Sequence, residues 1–296
     1  MTFLLQLVVT GFALGMVYAL IAIGFVIILK CSEAFNIAQG HFVMLGGYLA
    51  YTFLITFNLP IWISLILIII TAILIGLLIE RLTLRPMVGQ PVIAVVMMTV
   101  ALSTVFEGLA TLIWGGEYKA YHGVLPTVTL RLGELSIPSE TTIGMIVSIV
   151  AVVILMILFR YTKIGLAMRA TAEDEQVVQS AGIKVTTIYA LSWGIACVVG
   201  AIGGIILGGV SGVMVGMAEI GLKAFAVVLL GGVNSIGGAI FAGITLGVLE
   251  NVAAAYLDPM LPAGGGLANV FPFIIIVIVL IFRPHGLFGL AEIERV

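Results

Sequence analysis

Residues 3–29 read FLLQLVVTGFALGMVYALIAIGFVIIL, a run without one charged side chain. A helix rises 1.5 Å per residue, so about 20 predominantly apolar residues cross the ~30 Å hydrocarbon core of a bilayer. This run exceeds that length. The first charged residue is Lys30, so the basic n-region of a signal peptide is missing and 3–29 is expected to be a retained first span. Working outward, the same criterion predicts spans at 60–79, 92–114, 141–159, 187–208 and 268–282. Segments 36–57, 219–232 and 236–256 are apolar but interrupted by small or polar residues. The stretch 219–232 is too short to cross unaided. Nine crossings are predicted, or eight if that stretch re-enters.

Composition agrees. The 296 residues are 62% hydrophobic and 9% charged, whereas soluble domains run near 25% charged. The chain needs membrane lipid as its solvent. A net charge of −2 gives nucleic acid no support as a partner. Cys31 and Cys197 make neither a metal-ligand spacing nor a disulfide framework.

Charge sets the expected orientation. With the N-terminus outside, Lys30, Arg81, Arg85, Arg160, Lys163, Arg169, Lys184, Arg283 and Arg295 all fall on the cytoplasmic side. Only Lys119 and Arg131 fall outside, and Lys223 stays in the membrane. Such a positive-inside bias rejects the reverse orientation. The outer loop 115–140, with Glu117, Glu134, Pro126 and Pro138, contains an alternating run from Val124 to Leu132 that predicts a short hairpin.

The predicted spans have an internal order. Four precede a lone fifth at 141–159 and four follow it, so the second block enters the membrane with reversed polarity. The expected architecture is all-α and polytopic, one domain over 1–296 with two inverted repeats, about 3–114 and 187–283. The interrupted segments correspond: one opens Asn36-Ile37-Ala38-Gln39-Gly40-His41, the other Glu219-Ile220-Gly221-Leu222-Lys223-Ala224. Paired broken helices near the midplane of inverted halves point to a translocation site, because helix N-termini present unpaired N–H groups and positive dipole ends. Asn36 and Gln39 also read as ordinary interfacial caps, and both readings stand. His41, Glu219 and Lys223 favour a passage role, since ionisable groups are costly in a membrane; a Glu219–Lys223 pair at i, i+4 is the plainer alternative. Glu107 and Glu250 lie near predicted outer ends and are expected to snorkel. Glycines at 200, 204, 208, 212 and 216 suit close packing, with unwound backbone expected from Gly208 onward.

The longest cytoplasmic insert, 160–184, predicts a helix from Leu166 to Gly182 with Glu173, Asp174 and Glu175 in its middle. Such an amphipathic segment suits docking on another protein; a solvated connector is the alternative. P-loop, GxGxxG, HExxH, GxSxG and Cys/His motifs are all missing. Enzyme chemistry has no support, and any use of ATP requires a separate subunit.

Several short motifs then occur in order: Gly15-x-x-Tyr18-Ala19-Leu20-Ile21-Ala22, Glu80-Arg81 with Arg85-Pro86, and Arg160-Tyr161-Thr162-x-x-Gly165. Arg169-Ala170-x-Ala172-Glu173-Asp174, Gly182-Ile183 and Lys223-Ala224-Phe225 follow. Leu230-Gly231-Gly232, Ser235-Ile236 and Arg283-Pro284-x-Gly286-Leu287-Phe288-Gly289 complete the series. In this order the chain resembles the branched-chain amino acid permease family of bacterial ABC importers, specifically the shorter of its two paired membrane subunits. The resemblance implies a second homologous permease, two cytoplasmic ATPases carrying ATP and Mg, a periplasmic binding protein and an inner-membrane location. It matches 160–184 to the loop that docks on the ATPase. The chain departs where the family commonly reads Asn-Phe-Ala-His-Gly-Glu, since Gln39 and His41 replace an imidazole and a carboxylate. That change extends the expected solutes from leucine-type amino acids to urea, amides or small carboxylates.

The expectation is therefore a permease subunit without cofactor of its own. Asn36, Gln39, His41, Glu219 and Lys223 are expected to line or gate the passage, and Arg169, Glu173, Asp174 and Glu175 to make the coupling contact. The rival is a stand-alone proton-coupled transporter using His41 and Glu219 as relay.

Overall fold

The structure, a computed structural model, describes residues 2–121, 130–132, 135–260 and 266–289. Arg295, Pro126, Glu134, the part of the alternating run at 124–129 and the side chain of Arg131 lie outside the described residues. The helices are α1 (Thr2–Ser32), α2 (Gln39–Tyr51), α3 (Ile61–Ile79), α4 (Val92–Trp114), α5 (Ser139–Tyr161), α6 (Lys163–Glu173), α7 (Glu175–Ser180), α8 (Val185–Ser211), α9 (Ile220–Gly231), α10 (Ile236–Tyr256) and α11 (Leu267–Phe282). Strands β1 (Leu130–Leu132) and β2 (Leu135–Ile137) pair antiparallel, Leu130 opposite Ile137, within the loop where a hairpin is predicted.

Among the described residues, six helices are long and apolar enough to cross a membrane: α1, α3, α4, α5, α8 and α10. The sequence predicts eight or nine crossings, and the difference lies in three shorter helices. α11 has 16 residues, α2 has 13 and continues through a π turn at Thr52–Thr56, and α9 has 12. Twelve residues rise only about 18 Å, well short of a bilayer.

Prolines start three of the spans. Pro60, Pro91 and Pro138 each hold φ near −55° and an extended ψ just before α3, α4 and α5. The ring fixes φ and supplies no N–H that would need a partner. Its carbonyl then accepts from the new helix, as from Ser64 N at 3.0 Å and Thr142 N at 3.1 Å.

α1 and α8 form the core. Ala19 to Ile23 on α1 and Trp193 and Ala196 on α8 are fully buried. Around them α3, α4, α5 and α11 turn outward large apolar side chains such as Trp62, Leu74, Leu112, Ile154 and Phe282. An apolar exterior of this extent needs a hydrocarbon solvent.

Glycines set the helix spacing. α1 and α10 run antiparallel with Gly15 against Gly243; a β-carbon on Gly15 would stand 2.6 Å from the Gly243 carbonyl oxygen. On α8, Gly200 and Gly204 admit Phe42 and Val43 of α2, so α2 and α8 run side by side in the same direction. The expected unwinding at Gly208 does not occur: α8 stays helical to Ser211 and breaks at Gly212, with φ +75°. Gly208 is packed against Tyr121, and a packed helix tolerates the ~1 kcal/mol propensity cost of glycine.

The insert 163–180 also differs from expectation. It forms two helices, α6 and α7, broken at Asp174 (φ −160°, ψ 110°). The acidic run therefore straddles a break and does not sit mid-helix. Asp174 Oδ1 accepts from Gln176 N at 2.8 Å and Val177 N at 3.1 Å, and this N-cap starts a new helix where the sequence suggests continuity.

Candidate functional site

The first turns of α2 and α9 meet. A β-carbon on Gly221 would lie 2.7 Å from both Cα and N of Gly40, so glycine at both positions permits backbone contact. From that contact the two short helices diverge. α2 follows α8, whereas α9 runs along α1, with Phe225 against Phe25 at 5.9 Å between ring centroids. α1 and α8 are mutually antiparallel, since Ile21 touches Gly203 and Gly24 touches Val199.

Asn36 and Gln39 lock the entry to α2. Asn36 Nδ2 donates to Gln39 Oε1 at 3.1 Å, and Asn36 Oδ1 accepts from Ala38 N at 3.1 Å. Gln39 Nε2 donates across to the Ala196 carbonyl of α8 at 3.1 Å. Both side chains are buried. His41, half-buried, follows on the first turn, and its Nδ1 is buried with no hydrogen-bond partner among the described residues.

On α9 the charges arrange differently from the i, i+4 alternative. Glu219 is exposed at the N-cap, and Lys223 turns away from it to Glu250 on α10, with Nζ and Oε1 2.5 Å apart. Lys223 also donates to Asn269 Oδ1 on α11 at 3.0 Å. The other oxygen of Glu250 accepts from the Tyr18 hydroxyl on α1 at 2.9 Å. Glu250 thus corrects the snorkelling expectation: it is buried at 7% exposure because a cation and a phenol satisfy it inside. Sequence reasoning assigned roles to neither Tyr18 nor Asn269. The one available signal was a glutamate inside an apolar run. Glu107 is exposed on α4.

A cleft of 460 Å³ opens beside this network, lined by Ser211, Glu219, Leu222, Lys223, Asn269 and Phe273. Asn36 instead borders a smaller apolar cleft of 260 Å³ with Phe25, Phe35 and Phe225. Glu219 and Lys223 therefore share one cavity, while Asn36, Gln39 and His41 lie outside it, across the α2–α9 contact.

The residues expected to couple lie together at the arginine-bearing end of the bundle. Glu173, Asp174 and Glu175 line a cleft of 630 Å³ with Glu33, Gln90 and Tyr189. Glu175 accepts a hydrogen bond from the Tyr189 hydroxyl of α8. Arg169 turns inward, donating to the Phe159 carbonyl and standing 5.9 Å over the Phe159 ring. At the opposite end the loop after α4 is pinned: Lys119 and Val213 exchange backbone hydrogen bonds, and the Tyr121 hydroxyl donates to Gly47 O at 2.5 Å. Burial raises the Tyr121 phenol above its ordinary value.

Multiple apolar helices around a buried ion pair define a multi-pass membrane protein, and the relatives supply the class, that of permeases. Residues 7–280 match the family described as branched-chain amino acid transport system / permease component, and the chain belongs to that family. It is 29% identical to the high-affinity branched-chain amino acid transport system permease protein LivH of Salmonella typhimurium, over 99% of this chain and 98% of that protein. It is 31% identical to BraD of Pseudomonas aeruginosa, described in the same terms, with the same coverage. Among solved structures, PsaBC from Streptococcus pneumoniae in complex with Fab aligns with a TM-score of 0.50 at 17% identity, covering 96% of this chain and 92% of that one. That likeness concerns the fold alone.

Proposed function

We propose that the chain is the permease subunit of an ATP-driven importer that moves amino acids, branched-chain or related, or another small polar solute into the bacterial cytoplasm. One observation carries transport over a plain anchoring role: α2 and α9 begin head to head at Gly40 and Gly221, beside a largely apolar cleft into which Glu219, Lys223 and Asn269 bring polar groups. The nine-segment reading counts α2, α9 and α11 as crossings, α9 being extended by the 3-10 turn Val215–Glu219 ahead of it; with α9 re-entrant the count is eight. The single domain then divides into inverted halves, about 3–114 and 187–283, around a linking span at 141–159. The packing of α1 on α10 and of α8 on α3 supports that pairing. Asn36, Gln39, His41, Glu219 and Lys223 border or gate the passage between the halves.

In this reading the N-terminus is outside and the arginine-bearing end faces the cytoplasm. α6 and α7 dock on one of two ATPase subunits that bind ATP and Mg. Glu173, Asp174 and Glu175 supply an acidic contact surface, and Arg169 ties α6 to the end of α5. A second homologous permease and a periplasmic binding protein complete the assembly. Closure of the ATPases pulls on α6–α7 and rocks one half against the other.

The test is purification from native membranes followed by reconstitution. A co-purifying P-loop ATPase and uptake that requires internal ATP are the expected results. Uptake by this chain alone, abolished by an uncoupler and indifferent to ATP, would instead favour the proton-coupled alternative.

A further inference from the structure

We propose that Glu250 is an internal counter-ion that holds Lys223 between transport cycles, and that a carboxylate on the passing solute takes its place. This rests on the importer reading above and narrows it to carboxylate-bearing solutes.

The two charges differ in access. The Lys223 side chain is 18% exposed and lines the cleft, whereas the Glu250 side chain is 9% exposed and does not line it. A solute entering the cleft therefore meets the Lys223 ammonium and the exposed Glu219 carboxylate, but not the Glu250 carboxylate. The ammonium has three N–H donors, of which Glu250 and Asn269 take two. The third has no partner among the described residues. Its four-carbon stem is flexible and its charge is a compact point, so it can reorient toward a new acceptor.

Glu250 has an independent anchor. The Tyr18 hydroxyl donates to the oxygen that Lys223 does not engage, so Glu250 keeps one charge-assisted hydrogen bond when Lys223 turns to the solute. Leaving a buried charge wholly unpaired is what makes breaking an ion pair costly; Tyr18 lowers that cost. When the solute departs, Glu250 recaptures the lysine and competes against retention. An uncharged solute such as urea offers only a neutral carbonyl acceptor, which competes poorly with the charge-assisted bond to Glu250.

The experiment uses the complete complex in liposomes with its binding protein, internal ATP, and L-leucine, urea and acetamide as probes. The unaltered complex is expected to take up leucine and neither uncharged probe. The charge swap Lys223→Glu/Glu250→Lys restores a pair but presents the wrong sign to the cleft. It is expected to lower leucine uptake about tenfold or more, the scale of one lost charge-assisted hydrogen bond, while subunits still co-purify and binding protein still stimulates ATP hydrolysis. Glu250→Gln is expected to lower both the half-saturating concentration and the maximal rate, because release loses its competitor. If the swap fails to assemble, the neutral pair Lys223→Gln/Glu250→Gln decides by the same uptake measurement. Near-normal leucine uptake by the swap or by the neutral pair makes the bridge a structural brace and overturns the exchange. Uptake of urea or acetamide also overturns it while leaving the importer intact. Uptake of none of the three probes overturns the exchange as stated for leucine, and ATP-independent uptake sinks the importer reading itself.

Discussion

Gly40 and Gly221 touch backbone to backbone, although 181 positions separate them in the chain (221 − 40). No side chain fits at that contact. Gly221→Ala would push a methyl group into the Cα and N of Gly40, and overpacking of this kind costs about 1–3 kcal/mol. Thermal unfolding of the purified complex is expected to shift down for Gly221→Ala. Gly108→Ala is the control, since a β-carbon there meets nothing within 4 Å. Equal midpoints for the two variants would dissolve the contact.

The Lys223–Glu250 pair yields a stability prediction separate from transport. Removing only the cation, as in Lys223→Met, strands a buried carboxylate and is expected to cost on the order of 3 kcal/mol. Removing both charges, as in Lys223→Met/Glu250→Leu, should recover most of that loss. A double-mutant cycle on the melting of the purified complex measures the coupling, and strict additivity would mean that the two residues do not interact.

Asp174 combines a charge with a cap, so the two must be separated. Asn caps about as well as Asp, and the Glu173 side chain makes no hydrogen bond among the described residues. Glu173→Lys/Asp174→Asn therefore alters charge while sparing α7. ATP hydrolysis is expected to persist and uptake to fall several-fold. Unchanged uptake would remove the acidic surface from the coupling role.

Tyr121 fastens the loop after α4 to Gly47. Tyr121→Phe deletes one hydrogen bond and is expected to cost about 1 kcal/mol, read as faster amide exchange over residues 115–121. Burial raises the phenol pKa in the fold. A group raised on folding contributes fully below its unfolded value, near 10, and loses that contribution as pH climbs toward the folded one. The difference in melting temperature between parent and Tyr121→Phe should therefore shrink above about pH 10.

Topology is checked with single cysteines. Replacing exposed Ala172 on α6, in a background free of Cys31 and Cys197, is expected to give a thiol that external, membrane-impermeant reagents miss until cells are broken. Labelling in intact cells would place the Arg169 region outside and remove the coupling scheme.

Much of this protein was legible from local pattern. The span predicted at 92–114 is α4, residue for residue, because Pro91 and Gly115 punctuate an apolar run and hydrocarbon sets its length. The ordered motifs from Gly15 to Gly289 identified the family, which the match over 7–280 bears out. Gly200 and Gly204 advertised close packing, since a missing side chain implies a near neighbour.

What the sequence alone determined is whatever follows from the spacing of residues along one helix or from the cost of placing a residue in lipid. Only the tertiary structure decided partners across helices. Spacing proposed Glu219 for Lys223, but the lysine chose Glu250, which three-dimensional packing of α9, α10, α11 and α1 brings within reach with Asn269 and Tyr18. The continued helix at Gly208, packed against Tyr121, belongs to the same class, whereas the break at Asp174 is made locally by its cap on Gln176 and Val177. Each tertiary choice depends on which carboxylate or ring lies opposite, and pair energies act through space while sequence patterns report only neighbours along the chain.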